Sequence, residues 1–397
     1  MTARRPSRKS FFRGVEPVSG NRVRLLQSGA EFFPALIAAI EAARDEVHLE
    51  TYIFNLDTTA KAVRDALIRA AQRGVKVRVL IDGVGSRDFP ADWLGALKTS
   101  GVSVLTYRPI VSGWLSNPHN LRRLHRKLVV IDARVAFLGG MNLMDDFEPV
   151  RFETPRLDFS VEVQGPLLVP IHRSVRHLWR LVALTQLQPQ ADKPALIEPA
   201  WPTDGHVRAA FVVRDNFAHR RDIERNYLAA LALAQDEIVI ANSYFLPGRR
   251  FRKLLKKAAA RGVQVHLLVQ GHTDHPFFQS AARALYRDLL AAGVRIYEYQ
   301  VSELHAKVAV VDAHWATVGS SNIDPFSLLL AREANIVVDD TTFTRELRQR
   351  LQQAIRQSAA LDPADWQRRP WLRRMLSWLA YESVRVMVGF AGGGRWV

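Results

Sequence analysis

One feature of this 397-residue chain constrains its fold more than any other: a series of four segments occurs twice, in the same order, half a chain apart. The first half carries DEVHLETYIF (45–54), RGVKVRVLIDG (73–83), GVSVLTYRP (101–109) and LHRKLVVID (124–132). The second half answers with DEIVIANSYF (236–245), RGVQVHLLVQG (261–271), GVRIYEYQ (293–300) and LHAKVAVVD (304–312). Alternating apolar runs such as VKVRVLI and VQVHLLV read as strands. The stretches before them, TTAKAVRDALIRAAQRG and GRRFRKLLKKAAARG, have helical spacing closed by glycine. Strand, helix and strand at this spacing imply crossover units, and so a parallel or mixed sheet covered by helices. The expected fold is α/β: two tandem α/β/α sandwich domains related by a pseudo-twofold axis, with the active site at their interface.

The repeat also sets the expected organisation. A basic tail covers 1–20, a first domain 21–182, a linker with Pro189, Pro194, Pro199 and Pro202 183–208, a second domain 209–361, and a basic, aromatic segment 362–397. The copies differ in the approach to their last strand: Gly101 to His125 is 24 residues, Gly293 to His305 only 12. The surplus, around IVSGWLSNPHN, is expected to overhang the site as a loop.

Composition narrows the chemistry. With 48% hydrophobic and 24% charged residues the chain can bury a core, and its net charge of +16 suits a polyanionic partner: nucleic acid, anionic lipid headgroups or acidic metabolites. The absence of cysteine excludes disulfides, thiolate metal sites and cysteine nucleophiles, in keeping with a reducing compartment. The start MTARRPSRKSFFRGVEP is basic without an apolar h-region and reads as a cytoplasmic start. No apolar run approaches the ~20 residues that cross a bilayer, so any membrane contact is expected to be peripheral.

Two copies of His-x-Lys-x4-Asp fall at equivalent points of the repeat: His125, Lys127 and Asp132, then His305, Lys307 and Asp312. Period-two alternation puts each histidine and its lysine on one face of a strand. An imidazole beside an ammonium suits a phosphate, the lysine holding a non-bridging oxygen while the histidine attacks phosphorus or moves a proton. Displacement at a phosphodiester needs a nucleophile on one side and a general acid at the leaving oxygen opposite. Two symmetry-related imidazoles supply both, and two lysines neutralise the charge that develops, so neither metal nor cofactor is expected. One such pattern arises by chance in roughly a few per cent of chains this size; two at matching points of a repeat are another matter. Each copy is followed by a small-residue turn with asparagine, Gly139-Gly140-Met141-Asn142 and Gly319-Ser320-Ser321-Asn322.

These motifs identify the chain as resembling the phospholipase D superfamily and, within it, the bacterial cardiolipin synthases of the shorter, peripheral type. The resemblance runs from about residue 21 to 345 and is carried by IDGVGS, LHRKLVVID with FLGGMNLMDDF, SYFLPGRRF and GSSNIDPFSL. It implies transfer of a phosphatidyl group through a phosphohistidine, without metal, to the headgroup hydroxyl of phosphatidylglycerol, giving cardiolipin. Phosphatidylglycerol or phosphatidylethanolamine would be the donor. One of His125 and His305 is then the nucleophile, with His125 the first choice, and the other the acid and base. Lys127 and Lys307 hold the phosphate, with Asn142, Asn322 and Ser320 lining its pocket. Glu333 in the second copy and Asp158 in the first are the implied carboxylates that orient the imidazoles. Asp132 and Asp312 are expected to hold structure. Two positions depart from the wider pattern: Gly140, where many superfamily members have serine, and Ala331, where relatives place asparagine.

Other features have two readings. The final segment sets Trp366, Trp371, Trp378, Met375, Leu376 and Leu379 among Arg368, Arg369, Arg373, Arg374 and Arg385, as an interfacial helix on an anionic membrane does; the alternative is a helix docked on the protein's own core. The first 24 residues, with seven Lys or Arg and one acidic residue, suit anionic lipid or a solvated tail equally. His272 and His275 lack further ligands, GVGS lacks a phosphate-loop lysine, and Glu50 is either a site residue or a satisfied strand-end carboxylate. Three rivals to the synthase remain: a phospholipase D-type hydrolase, a nuclease of the same superfamily and a non-catalytic membrane-binding protein. No nucleic-acid partner is expected, because the catalytic strings lack interleaved base-stacking aromatics. The oligomeric state has no sequence signal.

Overall fold

The computed structural model describes residues 11–110, 122–147, 152–188, 201, 204–272 and 275–392. The first half runs β1 (Val18–Gln27), α1 (Ser28–Glu41), β2 (Glu46–Thr51), α2 (Thr58–Gln72), β3 (Lys76–Asp82), α3 (Ala91–Thr99), β4 (Ser103–Tyr107), β5 (Lys127–Ile131), β6 (Val135–Gly139), β7 (Phe159–Gln164) and α4 (Leu168–Thr185). The second repeats that order with one added helix, α8: β8 (Val207–Arg214), α5 (Asp222–Leu233), β9 (Glu237–Asn242), α6 (Arg249–Ala260), β10 (Gln264–Gln270), α7 (Pro276–Leu290), β11 (Arg295–Tyr299), β12 (Lys307–Val311), β13 (Trp315–Gly319), α8 (Pro325–Leu329), β14 (Glu333–Asp339) and α9 (Thr341–Arg356). After it come β15 (Ala359–Ala360), α10 (Pro363–Gln367) and α11 (Trp371–Gly392).

The helices form where the sequence provides both a start and a stop. In α2, Asp57 caps the first turn by accepting from the Ala60 N–H at 2.8 Å, and Ala60, Val63, Ala66, Leu67 and Ala70 line one buried stripe. Gly74 ends it at φ +91° and Gly262 ends α6 at φ +92°, a left-handed turn that a side chain resists. Each turn then feeds directly into a buried strand.

Hydrogen-bonded neighbours run β15-β11-β10-β9-β12-β13-β14-β8-β1-β7-β6-β5-β2-β3-β4. The order is palindromic about the antiparallel contact of β1 with β8, as duplication demands. Within each half the crossover strands, β2-β3-β4 and β9-β10-β11, are parallel and the rest antiparallel, so the sheet is mixed. Helices α1, α2 and α3 cover one face of the first half, and α5, α6 and α7 the matching face of the second. The opposite faces of both halves share one core with α4 and α9, in which Leu128, Val161, Val308 and Ile336 are buried together. This shared core makes the two halves one body.

One expectation changes, and two of the open readings are decided. Residues 11–20 are not tail: Phe12 is buried in the core of the second half, the Arg13 N–H donates to Asn226 Oδ1 at 3.2 Å, and β1 has begun by Val18. Helix α11 docks its Ala380, Tyr381, Val384 and Val388 in that same core, so the C-terminal segment is in part a core helix. Glu50 is a satisfied carboxylate, buried against the guanidinium of Arg126 with a bond of 2.8 Å from Nη2. The loop around IVSGWLSNPHN and the prolines of the linker lie outside the described residues.

Candidate active site

The two motifs meet because each half pairs backbone with the other. The His125 N–H donates to the Arg332 carbonyl at 2.9 Å, and the Arg332 N–H returns to Arg123 O at 2.8 Å. In the same way the His305 N–H donates to Leu157 O at 2.9 Å, and the Leu157 N–H to Glu303 O at 2.8 Å. The chain entering each histidine is thus stitched to the chain entering the last strand of the opposite half. Each strand therefore begins at its motif lysine, two residues later than alternation alone suggests.

This stitching crosses the carboxylates over. Glu333, in the second copy, bonds His125 of the first, with Nδ1 and Oε1 2.9 Å apart; Asp158, in the first copy, bonds His305 of the second, with Nδ1 and Oδ2 2.6 Å apart. Each imidazole keeps 18% or 16% of its side-chain surface open, so the ring edge bearing Nε2 is what remains to face a substrate. Lys127 Nζ donates to the His125 carbonyl at 2.7 Å and lies 5.3 Å over the Tyr52 ring. Lys307 Nζ donates to the His305 carbonyl and, at 3.2 Å, to Ser243 Oγ.

Burial dominates the electrostatics. It pulls the ammonium of Lys127 down to about 7, with Lys307 adding to it, and that of Lys307 to about 8, with Arg156 adding to it, in both cases against Glu333 and Asp158. Burial lowers His125, helped by Lys127 and opposed by Glu333, and it takes His305 well below the ordinary range, with Lys307 and Arg156 adding to it. Burial raises Asp158 to about 7. A phosphodiester anion between the lysines would restore their charged forms.

The remaining motif residues divide by role. Asn142 Oδ1 accepts from the Ile53 N–H at 3.2 Å and Asn322 Oδ1 from the Ser243 hydroxyl at 3.0 Å, and both line the cleft. Ser320 is different from the expectation. It is fully buried and its hydroxyl donates to Glu333, while accepting from the Ala334 N–H at 3.1 Å, so it supports the carboxylate rather than lining the pocket. At the matching position a Cβ on Gly140 would come within 2.2 Å of Asp158 Oδ1. That explains the departure from serine: the first half fills the space with Asp158 itself. Asp132 and Asp312 sit in left-handed turns at φ 50° and 53°. Asp132 accepts from the backbone N–H groups of Arg44, Asp45 and Glu46, and Asp312 from those of Gln235, Asp236 and Glu237, at 2.8–3.2 Å. Both fasten strands and lie outside the cleft.

Sequence reasoning passed over the walls of the cleft. A cavity of about 370 Å³ runs from His125 past Tyr244 to an apolar end formed by Phe278, Ala282, Tyr286, Phe326 and Ala331. A second, of about 360 Å³, holds both histidines with the more polar Asn142, Arg156, Gln270 and Glu303. Arg156 and Glu303 pair at 2.9 Å. Tyr52, His125, Tyr244, Gln270 and His275 border both compartments. Tyr52 and Tyr244 lie inside the repeated strings, which was the available signal. Helix α7 carried none, because its periodicity reads as ordinary core packing.

The loop histidines pack against rings, His272 edge-on to Phe152 at 5.5 Å and His275 tilted against Tyr244 at 5.9 Å. Among the described residues the one cluster with metal-ligand geometry is Glu46, His48 and His172, at the far end of β2 from Tyr52. There Arg78 Nη1 already donates to Glu46 at 3.0 Å.

A family model described as "Cardiolipin synthase, PLD-like domain" matches residues 36–147 and 227–355, one segment in each half. The chain belongs to the cardiolipin synthases of the phospholipase D superfamily. Cardiolipin synthase B of Salmonella typhimurium is 41% identical over 390 residues, covering 94% of this chain and 90% of the relative. Cardiolipin synthase B of Escherichia coli K12 is 38% identical over 386 residues with the same coverage, and cardiolipin synthase 1 of Bacillus anthracis 29% over 371, covering 92% and 72%. The fold matches the crystal structure of phosphatidylserine synthase from Haemophilus influenzae with a TM-score of 0.71 at 15% identity, over 94% of this chain and 96% of that one. The cardiolipin synthase is thus a phospholipase D-type phosphatidyltransferase acting on phospholipid. Among the described residues no helix is long and apolar enough to cross a membrane.

Proposed function

We propose that the enzyme makes cardiolipin from two phosphatidylglycerol molecules, at the cytoplasmic face of the membrane, with His125 as nucleophile and His305 as acid and base. His125 Nε2 attacks phosphorus of the donor, the bond to the headgroup glycerol oxygen breaks, and that oxygen takes a proton from His305. The headgroup hydroxyl of the second phosphatidylglycerol then gives its proton to His305 and attacks phosphorus, releasing His125. Phosphatidylethanolamine as donor would fit the same steps, with ethanolamine leaving.

The observation that carries the reading is the unequal placing of the two imidazoles. His125 borders both the apolar compartment and the polar one, whereas His305 borders the polar one alone. A phosphodiester joins an acyl-bearing glycerol to a polar headgroup, so its phosphorus belongs at the boundary and its leaving oxygen on the polar side. Hydrogen bonding supports the same roles. Glu333 already accepts from Ser320, so His125 supplies the Nδ1–H to it and leaves Nε2 unprotonated. Asp158, raised to about 7, shares a proton with His305 that can follow the one Nε2 gives away. Lys127 and Lys307 hold the phosphate oxygens, with Asn142 and Asn322 at the walls. The exposed Leu372, Leu376 and Leu379 of α11 suit peripheral contact with the bilayer.

Purified protein with phosphatidylglycerol vesicles should yield cardiolipin and free glycerol in equal amounts. Phosphatidic acid as the sole lipid product would instead identify a hydrolase using the same phosphohistidine.

A further inference from the structure

A third cavity, of about 510 Å³, lies away from the histidines, between α7 and the α10–α11 segment. Its charge is one-sided. Arg283 and Arg287 come from α7, and Arg369, Arg373 and Arg374 from the other wall. Glu298 pairs with Arg283 at 2.8 Å, and Asp288 is the acidic residue in the lining. Among the described residues the side chains of Arg287, Arg373 and Arg374 make no ion pair, and all three are exposed. Arg369 is fixed by stacking 3.3 Å over the ring of the buried Trp366, and burial, with Arg283 and Arg373 adding to it and Glu298 opposing, lowers its pKa.

The groove is also amphipathic. Trp371, Trp378 and Met375 share its wall, with Trp371 72% and Trp378 55% exposed. On the far side of α11, Ala380, Tyr381, Val384 and Val388 are buried in the protein core, so the aromatic edge is the surface the docked helix leaves over. Guanidinium groups that grip phosphate oxygens, beside indoles that prefer the water–acyl boundary, form a site for a lipid phosphodiester rather than for a free ion.

Helix α7 connects this groove to catalysis. Phe278, Ala282 and Tyr286, spaced by four, wall the catalytic cavity, while Arg283 and Arg287, one position on, wall the groove. Tyr286 packs at 5.5 Å against Trp366. A lipid held in the groove therefore lies one helix away from the apolar compartment.

We propose that the groove between α7 and α11 is a second, non-catalytic site for the headgroup phosphodiester of an anionic phospholipid in a bilayer, which seats the enzyme with its apolar compartment beside the membrane. This rests on reading the chain as an enzyme of the membrane surface. The test is the full-length Arg287→Ser/Arg373→Ser/Arg374→Ser variant, measured by co-sedimentation with phosphatidylcholine vesicles containing phosphatidylglycerol and by turnover of a short-chain phosphatidylglycerol kept monomeric.

Each surface cation contributes about fivefold, so vesicle affinity should fall about a hundredfold while turnover of the monomeric substrate stays within about twofold of the unmodified enzyme. Vesicle binding by His125→Ala should be unchanged. Wild-type vesicle affinity in the triple variant overturns the proposal, and so does equal loss of both readouts, which would assign these arginines to folding or catalysis. Inorganic phosphate at matched ionic strength should not release the wild type from vesicles; release by phosphate alone would assign the groove to a free anion. Loss of oligonucleotide binding with vesicle binding intact would overturn it in favour of nucleic acid. Vesicle binding that needs the arginines, in an enzyme that makes no cardiolipin, would sink the proposed reaction and leave the groove standing.

Discussion

The two halves share every strand from β1 and β8 out to β4 and β11, yet several of the side chains around their histidines differ. Where the first half has Gly140 and Asp158, the second has Ser320 and Glu333. Where Lys127 lies over the ring of Tyr52, Lys307 donates to Ser243. Because the carboxylates cross over, each half sets the protonation of the other's imidazole. Duplication thus supplies two equivalent rings, and divergence of their partners supplies the means to give them different work.

The largest test of that difference uses the leaving group. His125→Ala should lower turnover of phosphatidylglycerol by at least about 10⁴-fold, and a 4-nitrophenyl phosphodiester should not rescue it. His305→Ala should lose as much on phosphatidylglycerol but regain about a hundredfold or more on the activated ester, whose leaving oxygen needs no acid. Identical responses would break the comparison.

The supporting positions come next. Gly140→Ser drives a Cβ into the Asp158 carboxylate and should lower kcat about a hundredfold, with a thermal unfolding loss of about 1–3 kcal/mol. Ser320→Gly removes the hydroxyl that Glu333 and the Ala334 N–H both use, without driving any atom into the carboxylate, and steady-state kinetics should show about a tenfold loss. Equal effects would mean that the two carboxylates are held alike.

The repeat, the mixed α/β sheet and the motif residues were all legible in the sequence, because duplication and period-two alternation are local signals. The crossed pairing of Glu333 with His125 and Asp158 with His305 was not. It depends on backbone bonds between Arg332 and His125 and between Leu157 and His305, across more than a hundred residues of chain. Ser320 was misplaced for the same reason, since its partner Glu333 lies on a neighbouring strand. The apolar compartment was hidden because Phe278, Ala282 and Tyr286 have the spacing of any core-facing helix.

Acidity should discriminate the groups further. The pH profile of kcat/KM should be a bell. Its acid limb falls below pH 6.5, because burial lowers His125 and the nucleophile must be neutral. Its alkaline limb lies near pH 7 to 8, where Lys127 and Lys307 lose their protons in the empty site. In kcat that limb should move upward, because the bound phosphate favours the charged lysines. An alkaline limb at the same pH in both would show that the lysines do not hold the phosphate.

The smallest effects on turnover belong to the motif aspartates. Asp132→Ala leaves three backbone N–H groups without their acceptor at a buried turn and should cost about 2–4 kcal/mol in denaturant unfolding. Asp312→Ala, at a more open turn, should cost about 1–2 kcal/mol. Neither should change kcat by more than about threefold.

The central claim, that one half provides the nucleophile and the other the acid, is tested most directly by quenching the enzyme in acid-free denaturant during turnover of phosphatidylglycerol labelled in its phosphate, then mapping the acid-labile adduct by peptide mass. Label is expected on the peptide containing His125, none on that containing His305, with accumulation when His305 is replaced by alanine and an activated donor is used. Label on His305 would contradict that claim.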